Sequence, residues 1–299
     1  MKIAIGQLCS SVRVLKNAEI VNKLINKAVE EKVKILFLPE ATDFIAKDAK
    51  QSKLLSKLSG EFLHLIQSEL KRLNTSLCVS VGIHQPSPNS DRVLNSQIWL
   101  DQHSLKQNYR KLHLFDINIP NGPILQESKS VEPGKYLLKP FEGPEGFKIG
   151  FAICYDIRFP EMSMDLRKMG ADIITFPSAF TTKTGEAHWK VLGQARAIET
   201  QTYVVMAAQC GKHDTETEQT KRISYGNSLI ISPWGDILAE GKKFDDELIL
   251  DSDGDYYEFI SADIDMNYLN KIRQDMPILN HRREDIYNNP EAICEGYEY

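Results

Sequence analysis

The sequence predicts an α/β protein, and three features carry that prediction. Short apolar runs alternate with segments whose apolar residues recur at helical spacing, the alternation is present in both halves of the chain, and no repeat of solenoid period, low-complexity block or Gly/Ser-rich linker divides the halves. One continuous domain over residues 1–287 is therefore expected. Residues 288–299 open on Asn288-Asn289-Pro290 without periodicity and read as a C-terminal tail that is flexible or docks on a neighbour.

The first unit is strand, helix, strand. Lys2–Leu8 is an apolar run, Leu15, Ala18, Val21, Leu24, Ile25, Ala28 and Val29 follow at helical spacing, and Lys34–Leu38 returns to an apolar run. In such a βαβ unit the second strand lies parallel to the first across a right-handed crossover. Glu61–Leu73, with Phe62, Leu65, Ile66 and Leu70, predicts a second helix, and Leu77–Ile83 and Asn95–Leu100 predict strands. From Asn108 to about Lys135 the chain reads as a long irregular connection. It carries Pro120, Pro123, Pro133 and an Asn121-Gly122 turn signal, and loops of this length in compact domains are usually functional or disordered.

The second half repeats the rhythm: Lys148–Ile153 as a buried strand, Pro160–Met169 as a helix with proline in its first turn, Ile173–Phe176 as a strand, His188–Thr200 as a helix and Tyr203–Ala208 as a strand. Ser228–Ser232 and Asp236–Ala239 flank a Pro233-Trp234-Gly235 turn and predict a hairpin, and Tyr257–Asp263 closes the pattern. This strand count fits either one large mixed sheet or two packed sheets with outer helices.

Composition narrows the class of function. With 36 Lys+Arg against 41 Asp+Glu, a net charge of −5 argues against nucleic acid as a partner, because holding phosphate backbones needs a clustered basic surface. No stretch reaches the roughly 18 to 20 uninterrupted apolar residues of a membrane span. Met1 runs directly into a strand-like pattern, which predicts a chain without a signal or transit peptide. Five scattered cysteines (Cys9, Cys78, Cys154, Cys210 and Cys294), with no C-x-x-C, favour reduced thiols in the cytoplasm.

Four residues stand where chemistry could occur. Cys154 ends the buried strand Gly150-Phe151-Ala152-Ile153, at the carboxyl end of the sheet where α/β sites gather. The helix start after it would favour a thiolate and a developing oxyanion; a small core residue is the plainer reading. Glu40 ends the apolar strand Ile35-Leu36-Phe37-Leu38-Pro39. Desolvation there would raise its pKa and suit a general base, and a helix cap or salt-bridge partner fits equally well. Nothing local distinguishes Lys111 from the other basic residues, so its residues alone suggest a solvated side chain. Arg158 could hold a substrate carboxylate bidentately or simply pair with Glu161 or Asp156.

Other templates fail. The seven histidines show neither H-E-x-x-H nor zinc spacing. Asp251-Ser252-Asp253-Gly254-Asp255 begins like a calcium loop, but Tyr256 replaces the required glycine and Ala262 the bidentate glutamate, which leaves an exposed acidic turn. G-x-S-x-G, Walker and G-x-G-x-x-G motifs are missing.

Three motifs, in one order along the chain, carry a resemblance: Phe37-Leu38-Pro39-Glu40, Tyr109-Arg110-Lys111-Leu112-His113-Leu114-Phe115, and Cys154-Tyr155-Asp156-Ile157-Arg158-Phe159-Pro160-Glu161. Together they resemble the nitrilase (carbon-nitrogen hydrolase) superfamily, and the likeness extends from Ile3 to about Tyr287. Phe176-Pro177-Ser178-Ala179-Phe180, Thr184-Gly185-Glu186-Ala187-His188-Trp189 and Ala207-Ala208-Gln209-Cys210-Gly211 are similar to its Nit-type branch.

The resemblance implies a four-layer α-β-β-α sandwich, paired through its helices into a homodimer or larger homo-oligomer, with no metal or organic cofactor. It implies a catalytic triad of Glu40, Lys111 and Cys154 with Glu127 as an additional acidic residue. The Tyr155 N–H and Lys111 would hold the oxyanion, and Arg158, Phe180 and Thr184 would surround the substrate. The implied partner is a small-molecule amide of a 2-oxo acid: deaminated glutathione, cleaved through a thioester to 2-oxoglutarate and cysteinylglycine. The alternatives are an ω-amidase acting on 2-oxoglutaramate and a non-catalytic interaction protein on the same scaffold. Gln194, where relatives carry arginine, is a departure expected to affect local packing or the pocket mouth.

Overall fold

Side chains of the first strand, β1 (Lys2–Leu8), alternate between two apolar cores: Ile3 and Ile5 enter one, Ala4 and Leu8 the other. The same division holds in β2 (Ile35–Phe37), where Ile35 and Phe37 face the first core and Leu36 the second. A strand buried on both faces has to lie between two layers, and the apolar run without polar alternation follows from that. The computed structural model describes residues 1–118, 124–215, 222–244 and 247–287. The Pro120 to Pro123 turn and the tail from residue 288 lie outside them.

Between β1 and β2 runs α1 (Val14–Glu30), its apolar stripe buried. After β2 come α2 (Ala49–Leu55), capped by the Asp48 carboxylate accepting from Gln51 N at 2.8 Å, and α3 (Ser59–Arg72). Then follow β3 (Cys78–Pro86), β4 (Val93–Leu100) and β5 (Leu105–Arg110). β1, β2 and β3 are mutually parallel, and β4 and β5 continue the sheet antiparallel. The irregular connection expected from Asn108 begins later, because β5 runs to Arg110. This strand is mostly exposed, with Tyr109 its one buried residue, so no apolar pattern announces it. The connection also holds a small antiparallel pair, β6 (Asp116–Asn118) and β7 (Ile124–Gln126).

The second series comprises β8 (Phe141–Glu142), β9 (Lys148–Phe151), α4 (Pro160–Lys168), β10 (Ile173–Thr175), the helical turn α5 (Thr182–Thr184), α6 (Lys190–Thr200) and β11 (Tyr203–Met206). α6 starts two residues after the expected His188, because Gly185–Trp189 winds as a π-turn. A short pair, β12 (Cys210–Lys212) and β13 (Ile223–Tyr225), precedes the hairpin β14 (Leu229–Ile231) and β15 (Ile237–Glu240). β16 (Tyr257–Asp263) returns to pair antiparallel with β1, and α7 (Met266–Asp275) follows.

Two six-stranded sheets result, ordered β16-β1-β2-β3-β4-β5 and β15-β14-β11-β10-β9-β8. One core joins Ile3, Ile5, Phe37 and Trp99 of the first sheet to Phe151, Ile174 and Val205 of the second, and the other packs α1 and α3 on the first sheet's outer face. Helices α4 and α6 flank the second sheet. These are the layers of an α-β-β-α sandwich. No helix among the described residues is long and apolar enough to cross a membrane.

The acidic turn is not simply exposed. Asp255 is buried, and the Lys23 ammonium of α1 lies 2.7 Å from both Asp251 and Asp253 and 3.7 Å from Asp255. The three carboxylates, whose oxygens come within 4.8 Å of one another, are thus paired with the two α1 lysines Lys16 and Lys23.

Candidate active site

Each sheet has three parallel strands at its centre, and the carboxyl ends of these strands meet. Glu40 follows β2, Cys154 follows β9, and Ala179 follows β10. The sheets are stitched at this level by Gln209, whose side-chain amide donates to Glu40 O at 3.0 Å, Ala41 O at 3.1 Å and Ser10 Oγ at 2.8 Å. Under Glu40 the chain passes so close to β3 that a Cβ on Gly82 would lie 2.4 Å from Pro39 O, so only glycine fits.

Lys111, read from its neighbours as a solvated lysine, is 2% exposed. Its ammonium donates to Glu40 Oε1 at 2.9 Å and to both Glu127 oxygens at 3.0 and 2.9 Å. Glu40 is 5% exposed, and its second oxygen accepts from the Ala179 N–H at 3.0 Å. Glu127 Oε2 also accepts from Phe115 N at 2.7 Å. The Cys154 thiol lies within electrostatic reach of the Glu40 carboxylate and the Lys111 ammonium. Cys154 sits at φ +48°, a left-handed backbone that costs a side-chain-bearing residue roughly 1–2 kcal/mol. The strain turns the chain sharply off β9 and leaves the thiol at the strand ends.

Two electrostatic expectations are reversed. Burial does push the Glu40 carboxyl up, but the Lys111 charge and the hydrogen bonds from Lys111 and Asn95 outweigh it and hold the group below the usual carboxylate range. The Cys154 thiol is raised, first by burial and then by the Glu40 charge, against which Lys111 and the Ala179 N–H act more weakly. The resting pair is therefore a carboxylate and a neutral thiol. The helix after Cys154 starts at Pro160 as expected, and residues Cys154–Arg158 before it form a 3-10 turn. Lys111 is raised well above its ordinary value; burial opposes this, and the carboxylates of Glu127 and Glu40 more than compensate.

At the second position of that turn, the Tyr155 N–H lies before the first intrahelical acceptor and is free to face an oxyanion. Arg158 pairs with neither Glu161 nor Asp156, and makes no ion pair among the described residues. Its guanidinium lies 5.9 Å over the Tyr155 ring and 5.8 Å over the Phe180 ring, and donates to His188 Nδ1 at 3.2 Å. Phe180 is buried against Trp189. The Thr184 hydroxyl is engaged 3.0 Å from that of Thr181 in the α5 cap. Gln194 donates to Gly235 O at 2.9 Å and ties α6 to the β14–β15 turn, a packing role.

Sequence reading missed Asn95, which lies on β4. Its Nδ2 donates to Glu40 Oε1 at 2.8 Å and Glu127 Oε1 at 3.3 Å, between two like charges. The available signal was the polar run Asn95-Ser96-Gln97 inside the otherwise apolar strand Val93–Leu100. A separate cleft of about 300 Å³, lined by Cys9, Arg13, Lys16, Phe244 and Tyr256 among others, contains none of these groups.

Two α/β layers stacked sheet to sheet form the nitrilase-type architecture, and the solved NitFhit protein of Caenorhabditis elegans superposes with a TM-score of 0.83 at 36% identity, over 96% of this chain and 66% of that longer one. The chain belongs to the carbon-nitrogen hydrolase family, whose profile matches residues 2–274, and it is a hydrolase of amide carbon-nitrogen bonds. It falls on the Nit-type branch. It is 41% identical to the probable hydrolase nit2 of Schizosaccharomyces pombe, over 95% of this chain and 98% of that protein. It is 40% identical to the deaminated glutathione amidase of Bos taurus, over 96% and 83% respectively.

Proposed function

We propose that this chain hydrolyses deaminated glutathione to 2-oxoglutarate and cysteinylglycine, using Glu40, Lys111 and Cys154 with Glu127 in support. The observation that carries the chemistry is the buried Lys111 ammonium held between two carboxylates, one of which, Glu40, acts electrostatically on the Cys154 thiol. Likeness to relatives named deaminated glutathione amidase supports the substrate.

In this mechanism Glu40 takes the thiol proton as sulfur attacks the amide carbonyl. The carbonyl oxygen, now an oxyanion, accepts from the Lys111 ammonium and the Tyr155 N–H. Glu40 then passes its proton to the amide nitrogen, the carbon-nitrogen bond breaks, and cysteinylglycine leaves a thioester on Cys154. Water attacks the thioester carbonyl and gives a proton to Glu40. Collapse of the second tetrahedral intermediate expels the sulfur, which recovers that proton, and releases 2-oxoglutarate. Glu127 fixes the ammonium throughout.

The test is a side-by-side measurement of kcat/KM on deaminated glutathione and 2-oxoglutaramate. A large preference for the first supports metabolite repair, and the reverse preference moves the protein to ω-amidase chemistry. Arg158, with no carboxylate of its own, is the cation proposed for the substrate's oxo-acid end, beside Phe180 and Thr184. Arg158→Lys should raise KM about tenfold, since a bidentate fork is replaced by a point charge; unchanged kinetics would remove Arg158 from the site.

The shared core supports reading residues 1–287 as one catalytic domain, and Cys9, Cys78 and Cys154 as free thiols suit the cytoplasm. Pairing through the helices is supported by exposed Val191 (67%) and Ile198 (49%) on α6 beside Trp234. The double variant Val191→Asp, Ile198→Asp should shift the mass measured by light scattering toward the monomer; an unchanged oligomer would place the interface elsewhere.

A further inference from the structure

We propose that Asp156 is a positioning residue that locks the nucleophile turn and the Lys111 segment into one rigid unit. The proposal rests on the catalytic reading above and deepens it. Asp156 is fully buried, two residues after Cys154, and contacts none of the reacting groups named there. Its Oδ2 accepts from Ile153 N at 2.9 Å and from the Tyr109 hydroxyl at 2.8 Å. Its Oδ1 accepts from His113 N at 3.0 Å and lies 2.7 Å from His113 Nδ1. Tyr109 and His113 stand two residues to either side of Lys111, and Ile153 immediately precedes Cys154. One carboxylate therefore ties down both segments whose relative placement sets the distance from sulfur to ammonium.

The structure shows why both segments need such a clamp. Past Lys111, whose N–H still donates to Asn95 O on β4 at 2.9 Å, the chain leaves the sheet, so Leu112 and His113 lose the ladder that holds β5. Cys154 is strained at φ +48° and would relax if the turn after it could move. Arg196 braces the far side of that turn, donating from Nε to Ile157 O at 2.9 Å; on the near side the Cys154 N–H donates to Pro177 O at 3.0 Å, and Asp156 adds the tie to Ile153 and to the Lys111 segment. Burying a carboxylate is costly unless its lone pairs are filled, and here all the donors come from the two segments being joined.

The experiment is first-turnover acylation by p-nitrophenyl acetate, followed by stopped flow. Labelled sites are counted by intact mass, with Cys154→Ala as the blank. An ester of this kind needs the nucleophile, base and oxyanion donors but no oxo-acid recognition. Asp156→Asn presents one acceptor oxygen and an amide that repels the N–H donors, and should lower the acylation rate constant per labelled site about 100-fold, the scale of an ångström misplacement. Tyr109→Phe removes one donor from the clamp while keeping the packing, and should lower it about tenfold. It decides the matter if Asp156→Asn does not fold. A purely structural role would reduce the number of labelled sites and the melting temperature while leaving the rate constant per site, in both variants, within twofold of the wild type; that result overturns the proposal. A wild-type burst without turnover of either oxo-acid amide would sink the substrate reading and leave the clamp standing. No wild-type burst would overturn both.

Discussion

Cys154→Ala is expected to lower turnover of the amide substrate by at least about 10⁴-fold, the scale on which loss of a covalent nucleophile is felt, while the fold survives. Survival follows from the position: the side chain is small, and alanine inherits the same left-handed backbone at φ +48°. Cys154→Gly, which also lacks the nucleophile, should be more stable than Cys154→Ala by about 1 kcal/mol, because glycine carries no Cβ penalty there. Turnover and urea denaturation measured together on the two variants check this. Residual activity above a few per cent in Cys154→Ala would end the thioester mechanism.

Lys111→Met should be the most damaging substitution of a group that forms no covalent bond. The methionine fills the volume but leaves Glu40 and Glu127 buried with no cation between them, and breaking such a network typically costs about 3–5 kcal/mol. One of the carboxyls would protonate in response, so the base is compromised together with the oxyanion donor, and turnover should fall by at least about 10³-fold. The pH dependence has a definite sign. Glu40 is lowered from an ordinary 4.5, so its share of stability is present above that value and is lost as pH falls through the lower folded one. Lys111 is raised from 10.5, so its share is present below that value and is lost as pH rises through the higher folded one. The stability gap between wild type and Lys111→Met should therefore be flat across the neutral range and close as pH falls below 4.5. A gap below 1 kcal/mol at neutral pH, or one that widens on acidification, would refute the arrangement.

These residues differ in how far the sequence reveals them. Cys154 and Glu40 each end an apolar strand, and position alone marks them, because the carboxyl ends of parallel strands are where an α/β sheet exposes side chains. Lys111 and Glu127 carry no such mark; only likeness to a family singles them out, since the groups that make Lys111 special are 71 and 16 positions away. Asn95 and Asp156 look like ordinary polar residues until their donors and acceptors are seen.

The elements followed the same rule. Strands with two buried faces, such as β1, β2 and β9, write an apolar run into the sequence, and amphipathic helices such as α1 write a stripe. The edge strand β5 left no pattern, because its pairing with β4 uses backbone groups that every residue has. The π-turn before α6 was also invisible; it starts at Gly185, which packs so close to Tyr225 that a side chain there would clash.

By itself, then, the sequence determined the alternation of strand and helix, the two series, and the places where a nucleophile and a carboxylate could emerge, since each depends on local periodicity. The charge state of the site was decided only by the tertiary structure. Burial alone would have left Glu40 protonated, and a helix start alone would have left Cys154 ionised. The long-range placement of Lys111 against Glu40 gives the carboxylate, and burial together with the Glu40 charge gives the neutral thiol, because Coulomb interactions depend on distance in space and not on separation along the chain.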